Sequence, residues 1–312
     1  MNIQVKSEYL CRFSTTPGGK RWLVWWKLLR PHTLTASFVP VAIGTAMALL
    51  SHTINIGLFL SMLLASTLIQ AATNIFNEYY DFISGLDHVQ SVGIAGTIVR
   101  DKVSPKTIIM IAYIFASLAI LLGLYISMHT SWWIFFVGII CIMVGYFYSG
   151  GPYPIAATPF GELIAGAFMG LFIILISFFI QTGTINLEIS LVSGPTSILI
   201  GTILMANNIR DLGDDKAHGR KTLAILLGHK KAVSFLAGML AFAYLWLLGL
   251  VFCGILSCWA LLVFASVPKA LQAVKGFQDK KTADQMMPAM KATAQTNTIF
   301  GLLLVLALVL QY

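Results

Sequence analysis

Nine long apolar stretches dominate this chain, near residues 34–50, 56–76, 107–127, 132–150, 161–181, 188–209, 230–252, 255–274 and 292–310. Each matches the roughly 17–25 residues that a helix needs to cross a bilayer. Inside hydrocarbon every backbone N–H and C=O must be satisfied within the protein, so runs of this length commit the chain to helices. Only 10% of its residues are charged and 58% are hydrophobic, whereas a soluble domain carries about 25% charged residues. The expected fold class is an all-α integral membrane bundle of nine transmembrane helices. Residues 1–24 form a polar segment with no apolar core, so no cleavable leader is expected. Residues 25–312 read as a single transmembrane domain.

The bases fix an orientation. All 20 Lys and Arg residues fall before the first run or in and beside the connections after the second, sixth and eighth runs. The alternate connections, at 51–55, 128–131, 182–187 and 253–257, hold none. Positive charge marks the cytoplasmic side, which places the N-terminus inside and the C-terminus outside. The long inner connections would cap the bundle on that side. Nothing here points to a nucleic-acid partner; the expected surroundings are the lipid bilayer.

Two polar clusters close the second and sixth runs. The first contains Asn77, Asp81 and Asp87, the second Asn207, Asn208, Asp211, Asp214 and Asp215. Spacing by four keeps Asn77 and Asp81 on one helical face, and Gly85 allows the chain to turn Asp87 back toward it. Oxygen donors without His or Cys suit a hard cation such as Mg²⁺, which takes one or two carboxylates together with phosphate oxygens. Carboxylates at a helix C-terminus also repel the negative end of its dipole unless a cation offsets them. The competing interpretation is a set of solvated loop acids beside a membrane.

Other constellations surround these clusters. Arg220 and Lys221 follow Asp211 closely enough to clamp a diphosphate, or they flank the next span as ordinary inside-positive residues. The small-residue loop 92–99 ends in Arg100, a further base for phosphate. Tyr80 and Tyr148, with Asn208, are candidates to contact a prenyl or aromatic group, the tyrosines through cation–π attraction. The same tyrosines would also suit an interfacial aromatic belt. Glu162 near the start of the fifth run is costly to bury and should point inward. The six histidines and four cysteines show no metal-ligand spacing; the cysteines read as packing residues.

Asn77-x-x-x-Asp81 with Asp87, and Asn208-x-x-Asp211-x-x-x-Asp215 followed by residues 219–224, resemble the paired Asp-rich motifs of UbiA-type intramembrane prenyltransferases. Residues 30–36, 148–152 and 295–298 resemble the bacterial branch that prenylates 1,4-dihydroxy-2-naphthoate. The resemblance implies helices around a central cavity in the bacterial inner membrane, its active site facing the cytoplasm. It also implies Mg²⁺-dependent transfer from a polyprenyl diphosphate to an aromatic ring, with loss of diphosphate and CO₂. Asn77, Asp81, Asp87, Asp211 and Asp215 fall on the family's Mg²⁺–diphosphate positions, with Asp81 and Asp211 at its catalytic centre. The branch acting on 4-hydroxybenzoate carries a Lys four residues after a Tyr; here Tyr148 is followed by Pro152, and residues 149–160 hold no Lys or Arg. The acceptor carboxylate is thus left without an assigned partner. Transfer to a different acceptor is the alternative within enzymes, and a cation-coupled transporter is the alternative outside them.

Overall fold

The computed structural model of the protein describes residues 21–87, 96–280 and 282–311. Most of the polar N-terminal segment, residues 92–95 of the small-residue loop, Lys281 and Tyr312 lie outside them. Among the described residues the chain is helical throughout, without strands. A short helix α1 (Arg21–Leu29) leads into α2 (Pro31–Leu49), then α3 (Ile56–Ser84), α4 (Pro105–His129) and α5 (Trp132–Ser149). The chain continues through α6 (Gly161–Thr182), α7 (Leu187–Arg210) and two short helices, α8 (Leu212–Ala217) and α9 (Leu223–Leu227). It ends with α10 (His229–Phe252), α11 (Cys258–Phe277) and α12 (Ala283–Gln311). Eight of these are long and apolar enough to cross a membrane: α3 to α7 and α10 to α12. The segment Thr33–Leu49 within α2 is apolar but shorter. The chain is a multi-pass membrane protein.

Local chemistry sets the ends. Asn55 caps α3 by accepting the Leu58 N–H at 3.1 Å, and Asn186 caps α7 by accepting the Ile189 N–H at 3.0 Å. Pro31 and Pro105 open α2 and α4 at positions where a missing N–H costs nothing. The second apolar run ends near 76, yet α3 continues two turns further and stops only at Gly85 (φ 79°). Those two turns carry the first polar cluster. A large core unites α2, α6, α7, α10, α11 and α12 through fully buried residues such as Ile43, Ile174, Leu199 and Phe300. A smaller cluster joins α1, α3 and α4 around Leu28, Ile75 and Ile108. A third, around Val41, Met62 and Ile176, closes the opposite end. Many large apolar side chains on α4, α5 and α10, including Leu121, Phe136 and Leu245, are exposed, as a lipid-facing surface requires.

Candidate active site

Between these clusters lies a cavity of about 350 Å³. Its polar end is lined by Asn77, Asp81 and Asp87 from α3 and the turn after it, and by Asn207, Asn208, Asp211, Asp214, Asp215 and Arg220 around the α7–α8 junction. Its other end runs down α3 to Met62, α4 to Ile126 and α5 to Ile134, and is walled by Phe168, Met169, Ile173 and Ile176 of α6. Nineteen residues separate Asp81 from Met62 on one helix, so the cavity follows α3 for about 28 Å.

The two acidic clusters meet through one guanidinium. Arg220 donates to Asp81 Oδ1 at 2.7 Å and to Asp215 Oδ1 at 3.1 Å. Burial alone would lower its pKa, but the Asp81 and Asp215 charges more than offset that and hold it above its ordinary value. Asp215 itself is nearly inaccessible; burial pushes its carboxyl up to about 6, Arg220 opposing and Asp211 and Asp81 adding to the rise. Asp87 is brought back toward α3 because its N–H and that of Leu86 both donate to the Asp81 carbonyl past the left-handed Gly85. Burial likewise raises Asp87 to about 6, reinforced by the Glu78 and Asp81 charges and countered by Arg30 and Arg100. Asp211 ends α7 at a break (φ −90°, ψ 5°) and takes both Nε and Nη2 of Arg210, at 2.6 and 2.5 Å.

Asn77 donates to Ser149 Oγ at 3.2 Å, tying α3 to α5, while Asn208 donates to Glu162 Oε1 at 2.8 Å. Glu162 does point inward and is buried. Tyr148 lines the cavity with its hydroxyl buried and unpartnered. Three expected site residues depart from this arrangement. Tyr80 turns toward α5, where its hydroxyl donates to that of Tyr146 at 2.6 Å, and does not line the cavity. Arg100 is exposed and folds back over Gly96, whose missing Cβ would otherwise lie 2.4 Å from its Nε. Lys221 is also exposed; its backbone N–H is held by the Ala157 carbonyl at 2.9 Å, which turns the side chain out of the cavity lining.

Two residues escaped the sequence reading. Glu78 is buried and accepts the N–H groups of Gly96 and Thr97 at 2.9 and 2.5 Å, pinning the returning loop to α3. Arg30 occupies the α1–α2 corner in a left-handed conformation (φ 51°, ψ 64°) and lines the cavity. Such a backbone costs a non-glycine residue roughly 1–3 kcal/mol, a cost that tends to persist at functional sites. Both left a signal: Glu78 is a third acid at the end of an apolar run, and Arg30 immediately precedes a helix-opening Pro.

Asp81, Asp87, Asp211, Asp214 and Asp215 face Arg30, Arg210 and Arg220 across the cavity, an excess of two negative charges with all ionised. No three His, Cys, Asp or Glu among the described residues converge as a complete metal cage. Such a set of separated carboxylates and amides fits Mg²⁺, which typically completes its shell with phosphate oxygens and water.

Comparison with known proteins agrees with this geometry. Residues 37–299 match the UbiA prenyltransferase family model. The chain is 54% identical over 287 residues to the 1,4-dihydroxy-2-naphthoate octaprenyltransferase of Bacillus subtilis, covering 92% of each. It is 25% identical to the Escherichia coli protein of that name, over 92% of this chain and 95% of the other. Among solved structures, a UbiA homologue from Archaeoglobus fulgidus bound to DMAPP and Mg²⁺ superposes with a TM-score of 0.65 at 15% identity, covering 90% of this chain and 98% of that one. A UbiA homologue from Aeropyrum pernix gives 0.68 at 16%, over 88% and 98%. With its fold, its paired clusters and these relatives in agreement, the chain belongs to the UbiA prenyltransferase family.

Proposed function

We propose that the protein transfers a polyprenyl group from polyprenyl diphosphate to 1,4-dihydroxy-2-naphthoate, releasing diphosphate and CO₂ to give demethylmenaquinol. One observation carries the chemistry: a single cavity, about 28 Å long from end to end, joins an acid- and guanidinium-lined mouth to an apolar channel. The mouth suits a diphosphate and the channel its hydrocarbon tail. The acceptor follows from the naphthoate signatures at 30–36, 148–152 and 295–298 and from the Bacillus subtilis relative.

In this reading Asn77, Asp81, Asp87, Asp211 and Asp215 hold Mg²⁺ against the diphosphate. The net negative mouth repels a bare diphosphate, so the carboxylates serve substrate binding only as part of a metal complex. Mg²⁺ held there would neutralise charge on the diphosphate as its C–O bond breaks and it leaves an allylic cation behind. Arg220 and Arg210, which pair with these carboxylates and line the same mouth, would present forked donors to the phosphate oxygens. Tyr148 and Asn208 line the same cavity and are assigned here to the prenyl or aromatic group. The helices exclude water from the cation, and the tail enters from the bilayer.

The reading also places residues 25–312 in one domain of nine crossings, counting Thr33–Leu49 as the first. Its N-terminus is cytoplasmic, its C-terminus outside, and the inner connections cap the mouth. A reporter fused at the C-terminus should then read outside. The decisive assay offers the purified protein a prenyl diphosphate, Mg²⁺, and either the naphthoate or 4-hydroxybenzoate. Prenylation of the naphthoate alone is expected; equal or faster use of 4-hydroxybenzoate refutes the acceptor assignment.

A further inference from the structure

We infer that Arg30 is the docking contact for the carboxylate of the aromatic acceptor. The inference rests on the proposed acceptor and assigns the carboxylate partner that the 149–160 loop, without Lys or Arg, does not supply.

Three guanidiniums line the cavity, and they differ in what they already hold. Arg210 is committed to both oxygens of Asp211, and Arg220 spans Asp81 and Asp215. Among the described residues Arg30 makes no such bond. Its ion pair there, Nη2 to Glu78 Oε2, is 3.8 Å long, beyond hydrogen-bonding distance. Glu78 is already occupied by the N–H groups of Gly96 and Thr97. The Arg30 Nε is buried with no partner, an uncompensated donor in a place where such groups are normally satisfied. Arg30 therefore offers a planar donor fork that the described residues do not fill, and a carboxylate matches that fork two bonds at a time.

Its mounting points the same way. The α1–α2 corner is clamped by Asn74, whose Nδ2 donates to the Leu29 carbonyl and to Thr33 Oγ1, both at 3.0 Å. Arg30 is also the residue that opens α2, so an anion held there meets the positive end of that helix dipole. On α3 it reaches Glu78, one turn before Asp81, and its charge also acts on Asp81 and Asp87. Two guanidiniums from different elements thus face the cavity: Arg220 after α8, bonded to Asp81 and Asp215, and Arg30 at the α1–α2 corner, without such a bond among the described residues. A reaction joining two anionic substrates requires both.

The test uses the full chain in nanodiscs and measures binding of three probes. These are 1,4-dihydroxy-2-naphthoate, naphthalene-1,4-diol (which lacks the carboxylate), and an unreactive prenyl thiolodiphosphate with Mg²⁺. Wild-type protein should prefer the acid over the diol by roughly ten- to a hundredfold, the worth of a charge-assisted hydrogen bond. R30Q should abolish that preference while binding the thiolodiphosphate within about twofold of wild type; R30K should be intermediate and serves if R30Q does not fold. The inference is overturned if wild type shows no preference, if R30Q keeps it, or if R30Q loses the thiolodiphosphate instead, which would place Arg30 in the diphosphate clamp. If wild type does not prenylate the naphthoate, the functional reading fails; if it does and R30Q keeps the preference, only this inference fails.

Discussion

Asp81→Asn separates chemistry from folding at the point where the two clusters meet. Asp81 Oδ1 accepts Arg220 Nη2 at 2.7 Å, and Arg220 retains a second carboxylate, Asp215, at 3.1 Å. Asparagine keeps the shape and an acceptor oxygen, so Arg220 stays bonded and loses only part of its charge pairing. Because the hydrogen bond is kept and only its charge assistance is lost, the stability change should be about 1 kcal/mol. The loss in catalysis is larger, because an amide is a poor ligand for the cation that must neutralise the leaving diphosphate. Removing one strong electrostatic contact of this kind costs about 2.7–4 kcal/mol of transition-state stabilisation, or roughly a hundred- to a thousandfold in rate. Initial rates against Mg²⁺ concentration, paired with thermal melts of the same samples, measure both quantities. Asp211→Asn should behave alike, and the double variant should lose much less than the two single losses added, since both clusters grip one ligand. A wild-type rate in Asp81→Asn, or activity surviving removal of all divalent cations, would refute the reasoning. So would a rate loss matched by a collapsed melting temperature.

Glu78→Gln should loosen the returning loop by replacing charge-assisted acceptance of the Gly96 and Thr97 N–H groups with a neutral bond; about 1–2 kcal/mol of stability should be lost, read as faster hydrogen exchange at 96–98. Gly138 lines the channel ten residues along α5 from Tyr148, about 15 Å away, and a Cβ there meets nothing within 4 Å. Gly138→Leu should therefore fold normally yet slow transfer of long prenyl chains more than short ones, as competition between two chain lengths would show. Asp87 and Asp215 titrate near 6 in the metal-free protein, above the ordinary 3.8. Their ionisation costs stability that is relieved as pH falls through about 6, so metal-free melting should rise between pH 7 and 5. Protons and Mg²⁺ compete for the same oxygens, so Mg²⁺ stabilisation should shrink over that range.

The spans were legible because burial in hydrocarbon leaves a long uninterrupted apolar record, and observed helix ends such as 132–149 and 187–210 lie within a few residues of those expected. The facing of Asn77 and Asp81 followed from spacing alone. What spacing does not reveal is where a side chain turns when two neighbours compete for it. Tyr80 is one residue from Asp81, yet the rotation between adjacent helical positions sends it to Tyr146. Lys221 follows Arg220 directly, but the Ala157 carbonyl holds its backbone and the two side chains diverge. Arg30 and Glu78 were hidden for another reason: a base at the membrane edge and an acid beside other acids look ordinary until their long-range partners are known.

Helix α6 contains a π-helical stretch, Gly166–Phe172, between two α-helical parts. Its glycines let α6 press against α7, since a Cβ at Gly170 would lie 2.5 Å from the Ser197 Cα. A π stretch accommodates an extra residue by widening a turn, leaving the helix on either side in its own phase. One half aims Glu162 at Asn208 and the other aims Ile173 and Ile176 at the channel. A length change of one residue inside this stretch can therefore be absorbed locally. The same deletion in a regular turn would rotate one half by about 100° relative to the other. Removing one residue from this stretch should instead restore a regular α-helix and leave the mouth-facing and channel-facing parts of α6 aimed as they are.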